Sequence, residues 1–416
     1  MNKQSHPLLS PAVGTHHEVV SFHFGAAGRG EKIYIQASLH ADETPAMLTT
    51  VLLRRRLLEL EKQGVLNAEI VLVPVANPVG LGQYVLGQFV GRFDLASGKN
   101  FNRHFLRFPK LVAQAREVLG SDAAENVRIV RRLIADELAA QKPLTEFESL
   151  QMSLLKLSFD ADVVIDLHCS LEAAMHLYTS EAAWPQFEPF ARYLGAQASL
   201  LATNSGGEAF DETHSLLWWQ LQQEMPASKP VPNGAIAVTV ECRGQRDVSY
   251  EAAQQDADAI VDYLVWRKAI ALEAKPLPPL LTPATPLAGS EQFNAPVSGI
   301  LVHRAKIGDT IRVGQPLFDI VDPLTDETTT LTSNTEGVLY MRRAIRFVTA
   351  GAPLGRVTGT RAFRTGVLLG ALWQAACEAC LQQRLRPDAP TSRASNRSLT
   401  LSASVRHVGS PPAPAR

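Results

Sequence analysis

A chain of 416 residues with 46% apolar and 19% charged side chains has ordinary globular composition, with enough apolar material for two or three domains. Its 40 Lys+Arg balance 41 Asp+Glu to a net charge of -1. That excludes a protein built to coat nucleic acid or an anionic membrane, because there is no basic field to draw it there. The opening MNKQSHPLLSPAVG lacks the apolar stretch of a signal peptide, and no window offers about 18 uninterrupted apolar residues for a membrane span. Four cysteines make no disulfide framework, so the expectation is a cytoplasmic protein with reduced thiols.

Residues 33–39 (IYIQASL) are a β-rich apolar run ending at His40. Pro45 then opens a Leu-rich stretch to Lys62 with helical spacing, closed by Gly64, and a second strand-like run, EIVLVPVANP, occupies 69–78. Strand, helix, strand in this span is the βαβ pattern of a parallel sheet. The runs 162–168 (DVVIDLH), 174–179 (AMHLYT) and 235–241 (AIAVTVE) predict further buried strands, with helical material at 109–141 and 250–274. Residues 1–274 therefore read as one α/β domain.

Residues 275–289 contain five prolines and predict a semi-rigid linker. Beyond it an internal repeat aligns Gly299 with Gly337 and Gly314-Gln-Pro-Leu317 with Gly351-Ala-Pro-Leu354, at nearly equal spacing. Two quasi-identical β-halves over 290–360 resemble the biotinyl/lipoyl-like β-domain. Carrier domains of that kind need a lysine in the hairpin between their halves; no lysine follows Lys306, which excludes covalent biotin or lipoate. A helix is expected over 361–385 and a disordered Pro/Ser/Ala/Arg-rich tail over 386–416.

His40-Ala-Asp-Glu43 stands where a strand gives way to a helix, and an imidazole and a carboxylate three residues apart there can reach one cation. Zinc accepts such an N/O pair, and a catalytic site needs a third ligand and an open position for water. Open α/β sheets place their sites at the C-terminal ends of strands, which nominates His168 of Asp166-Leu-His168, with Asp166 as a supporting carboxylate. The alternative for both histidines is a hydrogen-bonded place at the core edge. His176 reads as a core or pocket residue, and His104 and His214 as loop residues. The loop from Gly91 to Arg103 carries Arg92, Asn102 and Arg103. Alone it is a surface loop, but beside a metal it becomes a carboxylate clamp, because a guanidinium can hold a carboxylate through two parallel bonds. Glu241 ends an apolar strand, where partial desolvation raises a carboxyl toward what a general base needs.

Together, His40-x-x-Glu43, Asn102-Arg103, Asp166-Leu-His168 and Glu241 resemble, in order and context, the succinylglutamate desuccinylase/aspartoacylase family of the zinc carboxypeptidase superfamily, over roughly residues 30–270. The resemblance implies a zinc-carboxypeptidase-like α/β fold with a mostly parallel sheet between helices, followed by the small all-β domain. It implies one Zn2+ per chain held by His40, Glu43 and His168, and Glu241 as the base that activates water. Arg92 would polarise the scissile carbonyl, while Asn102 and Arg103 would bind the substrate carboxylate. One departure stands out: the family's Asp-Leu-Asn-Arg reads Asn100-Phe101-Asn102-Arg103 here. The activity so implied is hydrolysis of the amide of a small N-acyl amino acid, with no nucleic-acid or membrane partner. Arg243, the insertion 106–157 and the loop 204–213 are candidates for specificity. The rivals are a carboxypeptidase acting on short peptides and a non-catalytic metal-binding scaffold. The β-domain is expected to shape the entrance or support a homo-oligomer.

Overall fold

The computed structural model describes residues 1–369. A nine-stranded mixed sheet forms its centre, in the order Asn2–Pro7, Glu18–Phe24, Glu69–Val73, Lys32–Ala37, Val163–Ser170, Ile236–Gly244, His176–Thr179, Ala198–Leu201, Thr285–Pro286. The four strands from Glu69–Val73 to Ile236–Gly244 are mutually parallel, and His176–Thr179 runs antiparallel to its neighbour Ile236–Gly244. The sheet is thus mostly parallel, as the βαβ pattern predicts.

Side chains alternate through it with the two-residue period of a strand. Ile33, Ile35, Val163, Ile165, Leu167, Val238 and Val240 enter one core with the helices Pro45–Lys62, Trp184–Leu194 and Tyr250–Trp266. Tyr34, Val164 and Ala237 enter the other, covered by Leu111–Val118, Ala123–Ala140, Glu146–Ser158 and Phe210–Glu224. By this alternation Gln36, Asp166, His168, Thr239 and Glu241 share the second face, toward the C-terminal ends of three adjacent parallel strands. The first helix begins at Pro45, whose fixed φ and missing N–H suit the first helical position.

The repeat is visible as geometry. Gly299–His303, Thr310–Ile311 and Pro316–Val321 correspond to Gly337–Arg342, Phe347–Val348 and Pro353–Val357, and the strands form two sheets around a core of Phe293, Leu317, Phe318, Leu339 and Leu354. The equivalent glycines Gly314 and Gly351 have φ of +79° and +83°, a left-handed turn conformation that favours glycine. The β-domain is stitched to the main sheet's domain. Met341 and Arg342 pair antiparallel with Ala173 and Glu172, and the Tyr340 ring is fully buried 5.0 Å from that of His176. The proline-rich stretch is tied down as well: Lys275 and Pro278 carbonyls accept from Tyr193 and Arg192, and Thr285–Pro286 joins the sheet edge. Proline is tolerated there because an edge strand leaves one row of N–H groups unused. Residues 361–369 carry no helix; the rest of the helix expected over 361–385, and the tail 386–416, lie outside the described residues.

Tyr340→Ala should empty a buried aromatic site between the two parts and cost about 3–5 kcal/mol. A lowered thermal midpoint in calorimetry checks it.

Candidate active site

The strand Lys32–Ala37 ends at Ser38, a non-glycine residue with φ of +65°, and the chain turns there across the sheet's C-terminal edge. His40 and Glu43 follow in a tight turn closed by Glu43 N–H to the His40 carbonyl at 3.1 Å. A buried Asn77 steadies this turn, donating to the Leu39 carbonyl at 2.9 Å and accepting from Gly80 N–H at 2.8 Å. His168, from the neighbouring parallel strand, arrives beside them.

His40, Glu43 and His168 are 4%, 1% and 2% exposed, and one potential ligand atom from each lies within 4.8 Å of the others. Among the described residues this is the only group of three or more His, Cys, Asp or Glu that could hold a metal ion. His40 Nδ1 is 3.0 Å from Glu43 Oε1, and His168 Nδ1 is 2.7 Å from Glu43 Oε2. The far ring nitrogens are anchored elsewhere, His40 Nε2 to Asn100 Oδ1 at 2.8 Å and His168 Nε2 to Asp166 Oδ2 at 2.9 Å. The oxygen acceptors at Nε2 fix both rings from behind, with each Nδ1 turned toward the shared carboxylate. Two imidazole nitrogens and a carboxylate oxygen converging in a buried place are a donor set that suits zinc.

The electrostatics follow from that convergence. Burial opposes charge on Glu43, but His40, Arg92 and His168 together hold its carboxyl well below the usual range. Burial, reinforced by Arg92, lowers His40. For His168 the carboxylates of Asp166 and Glu43 outweigh burial and raise it well above an ordinary histidine. Asp166 is itself gripped: Tyr34 OH donates to Gln36 Oε1 at 2.8 Å, and Gln36 Nε2 donates to Asp166 Oδ1 at 2.9 Å.

The loop after the second parallel strand brings in the arginines. Gly91 accepts from Ala41 N–H at 3.0 Å, and a Cβ at that position would stand 2.4 Å from Asp42 N, so only glycine lets the loop lie against the His40 turn. Arg92 then donates to Glu43 Oε1, with its other terminal nitrogen 3.5 Å from His40 Nε2. Asn102 accepts from Phe210 N–H at 2.8 Å and its Nδ2 lies 3.4 Å from His168 Nε2. Half-buried Arg103 donates to the Asn102 carbonyl and lies against Gly207 of the 204–213 loop. The insertion supports it through Gln151, which donates to the Arg103 carbonyl at 2.8 Å.

Glu241 is the direct cross-strand partner of His168 and accepts from Ser170 Oγ at 3.2 Å. Burial first, and Glu43's charge second, push its carboxyl up to about 7. Arg243 is not brought to this cluster. The ladder breaks between Glu241 and Gly244, Arg243 takes φ of +64°, and its guanidinium forms two bonds of 2.9 and 2.8 Å to Asp256. His214 lies inside the helix Phe210–Glu224 rather than in a loop, bonded to the Phe210 carbonyl and Ser158 Oγ, both at 2.8 Å. Asn100, Gln36 and Tyr34 were not named as site residues; the available signals were the departure from the family's pattern at Asn100 and a polar Gln36 inside an apolar strand.

A mixed sheet with a buried His-x-x-Glu and a second histidine at its C-terminal edge defines a protein of the zinc-carboxypeptidase-like fold class. The succinylglutamate desuccinylase/aspartoacylase catalytic-domain model matches residues 29–266, more than half the chain, and the protein belongs to that family. A solved structure of a succinylglutamate desuccinylase/aspartoacylase family protein from Shewanella amazonensis SB2B is similar at 26% identity and a TM-score of 0.74, over 86% of this chain and 98% of that one. Another, from Shewanella frigidimarina NCIMB 400, shares 24% identity with a TM-score of 0.75 over 86% and 97%. A product-bound ectoine utilization protein from Ruegeria pomeroyi shares the fold at 13% identity and a TM-score of 0.58, over 86% and 93%. No curated protein matches the sequence. Among the described residues no helix is long and apolar enough to cross a membrane.

Two outcomes are expected. Asn100→Ala should free the His40 ring and lower metal affinity about 10–100-fold, as losing an outer hydrogen bond to a ligand does; competition with a chelating indicator measures it. His214 is buried and held neutral, its pKa lowered to about 4 by burial. The unfolded chain therefore takes up a proton near pH 6.5 that the folded one refuses, and stability falls as pH drops through that window. His214→Gln should lose about 2 kcal/mol less than the wild type between pH 7 and pH 5 in denaturant titrations.

Proposed function

We propose that this protein is a zinc-dependent deacylase that hydrolyses the amide of a small N-acyl amino acid. The observation that carries this reading is convergence: His40, Glu43 and His168, the half-buried carboxyl of Glu241, and Arg92 meet at one end of the sheet, with Arg103 close by.

His40, Glu43 and His168 would hold the zinc ion, which would supply Lewis acidity and lower the pKa of a bound water toward ~7. Glu241 accepts a proton from the attacking water, and its raised proton affinity suits both taking the proton near neutrality and returning it to the departing amine. Arg92 reaches the triad from the side and meets the negative charge that develops on the carbonyl oxygen. Arg103 holds the substrate carboxylate, and Asn102, fixed by Phe210 N–H, aims the loop that carries it. The products are a carboxylic acid and a free amino compound. Asp166, Gln36 and Tyr34 keep the His168 ring in one orientation throughout. Arg243, committed to Asp256, has no part in this scheme.

The test is amine release from N-acetyl, N-formyl and N-succinyl amino acids and from dipeptides, with and without a chelator. Release abolished by the chelator is expected from one acyl class. Release from dipeptides alone would instead make the protein a carboxypeptidase, and silence across the panel with zinc bound would favour the scaffold. Glu241→Gln should retain the metal while losing 10²–10⁴-fold in kcat, whereas Arg103→Ala should chiefly raise KM.

A further inference from the structure

One carboxylate, that of Glu43, lies between two claims on its charge. Its Oε1 faces His40 Nδ1 and accepts from Arg92, while its Oε2 faces His168 Nδ1 and accepts from Cys169 N–H. A metal ion held by His40, Glu43 and His168 would draw on the same two oxygens. Two positive charges on one buried carboxylate repel at close range. The guanidinium then gives way when the ion binds, and it needs another acceptor within reach.

Asp42 stands beside it on the His40 turn. Its Oδ2 accepts from Gln245 Nε2 at 2.8 Å, but its Oδ1, closed off from solvent, has no hydrogen-bond partner among the described residues. A carboxylate oxygen in that position has lost its water and received no donor in exchange, which is costly. Gln245 is itself fixed, its N–H donating to the Ser170 carbonyl at 2.8 Å. Asp42 is thus held from the end of the strand Val163–Ser170, the one that carries His168.

The backbone keeps Arg92 next to this oxygen. The residue before it, Gly91, lies against Ala41 and Asp42, so Arg92 starts from a fixed point and only its side chain, 37% exposed, changes partner. Burial opposes the charge on Arg92; Glu43 foremost, then Asp42 and Glu241, outweigh it. After the carboxylate that Arg92 already touches, Asp42 is the acid whose field it feels most.

We propose that Asp42 is a positioning residue for Arg92: when a metal ion takes Glu43, the Arg92 guanidinium passes from Glu43 Oε1 to Asp42 Oδ1. Before the exchange the arginine helps to keep Glu43 ionised, holding the ligand set ready for the ion. After it, Asp42 keeps the same guanidinium beside the triad instead of releasing it to solvent. The assignment rests on the zinc reading of His40, Glu43 and His168.

The test is zinc affinity of the full-length protein, measured by competition with a chelating indicator, across Asp42→Asn, Arg92→Gln and the double variant. The amide matches the carboxylate in shape and still accepts from Gln245, but the NH₂ that replaces Oδ1 cannot accept from a guanidinium. Asp42→Asn should weaken zinc about 10-fold in the wild-type background and no more than about 3-fold in the Arg92→Gln background, because groups that touch are not additive. Equal losses in both backgrounds would overturn the proposal, since Asp42 would then act on the ion by its charge alone. If Asp42→Asn does not fold, crystal structures of the wild type with and without zinc decide. Arg92 should lie on Glu43 without the ion and on Asp42 with it, and a guanidinium still on Glu43 beside bound zinc overturns the exchange. A wild type that binds no zinc would sink the zinc reading and this one together, whereas bound zinc with additive losses sinks this one alone.

Discussion

Glu43 carries a negative charge in a place where nearly all its surface is withdrawn from water. Alone that charge could not persist there. It is kept by two imidazoles and a guanidinium drawn from three separate segments, with the Cys169 N–H adding a fourth donor at 3.1 Å. Each of those partners is in turn fixed from behind: His40 by Asn100, His168 by Asp166 and Gln36, Arg92 by a glycine that permits backbone contact. A buried polar network of this kind is worth having only if every member is satisfied. The parallel strands, the turn at Ser38 and the loop beyond Gly91 can be understood as the scaffold needed to satisfy it.

The main lines of the fold were legible because buried parallel strands are written as continuous apolar runs with sharp ends. Lys32–Ala37, Val163–Ser170 and Ile236–Gly244 fall where those runs lie, give or take a few residues. Asn2–Pro7 was not legible: NKQSHP has no apolar alternation, since this edge strand buries almost nothing. Ala198–Leu201, no shorter than the expected strand His176–Thr179, was not predicted. The candidate metal-binding residues His40, Glu43 and His168, and Glu241, could be nominated because chemistry requires polar residues at strand ends. Arg243 could not be judged, since strict alternation would aim it with Glu241, and the left-handed residue that turns it to Asp256 leaves no mark in composition. Partners such as Asn100 and Asp256 depend on contacts between distant segments, which one sequence does not display.

The β-domain shows the same division between pattern and placement. Its repeat and its missing lysine are readable letter by letter. That its outer face meets the strand His176–Thr179, and that the prolines before it lie along the catalytic domain instead of swinging free, follow from pairings that only three dimensions reveal. Loss of the carrier lysine removes one use for this domain, and its hydrogen-bonded seam supplies another, as a wall held in fixed register against the sheet.

That seam also orders events in time. The strand pair joining Glu172 to Arg342 brings together residues 170 positions apart, a loop closure that must wait for the far partner to exist. During synthesis the sheet with His40, His168 and Glu241 can assemble well before the β-domain leaves the ribosome. Tyr178 and His176 stay without the Tyr340 ring in that interval. Translation itself thus withholds the finished seam until nearly the whole described chain has emerged.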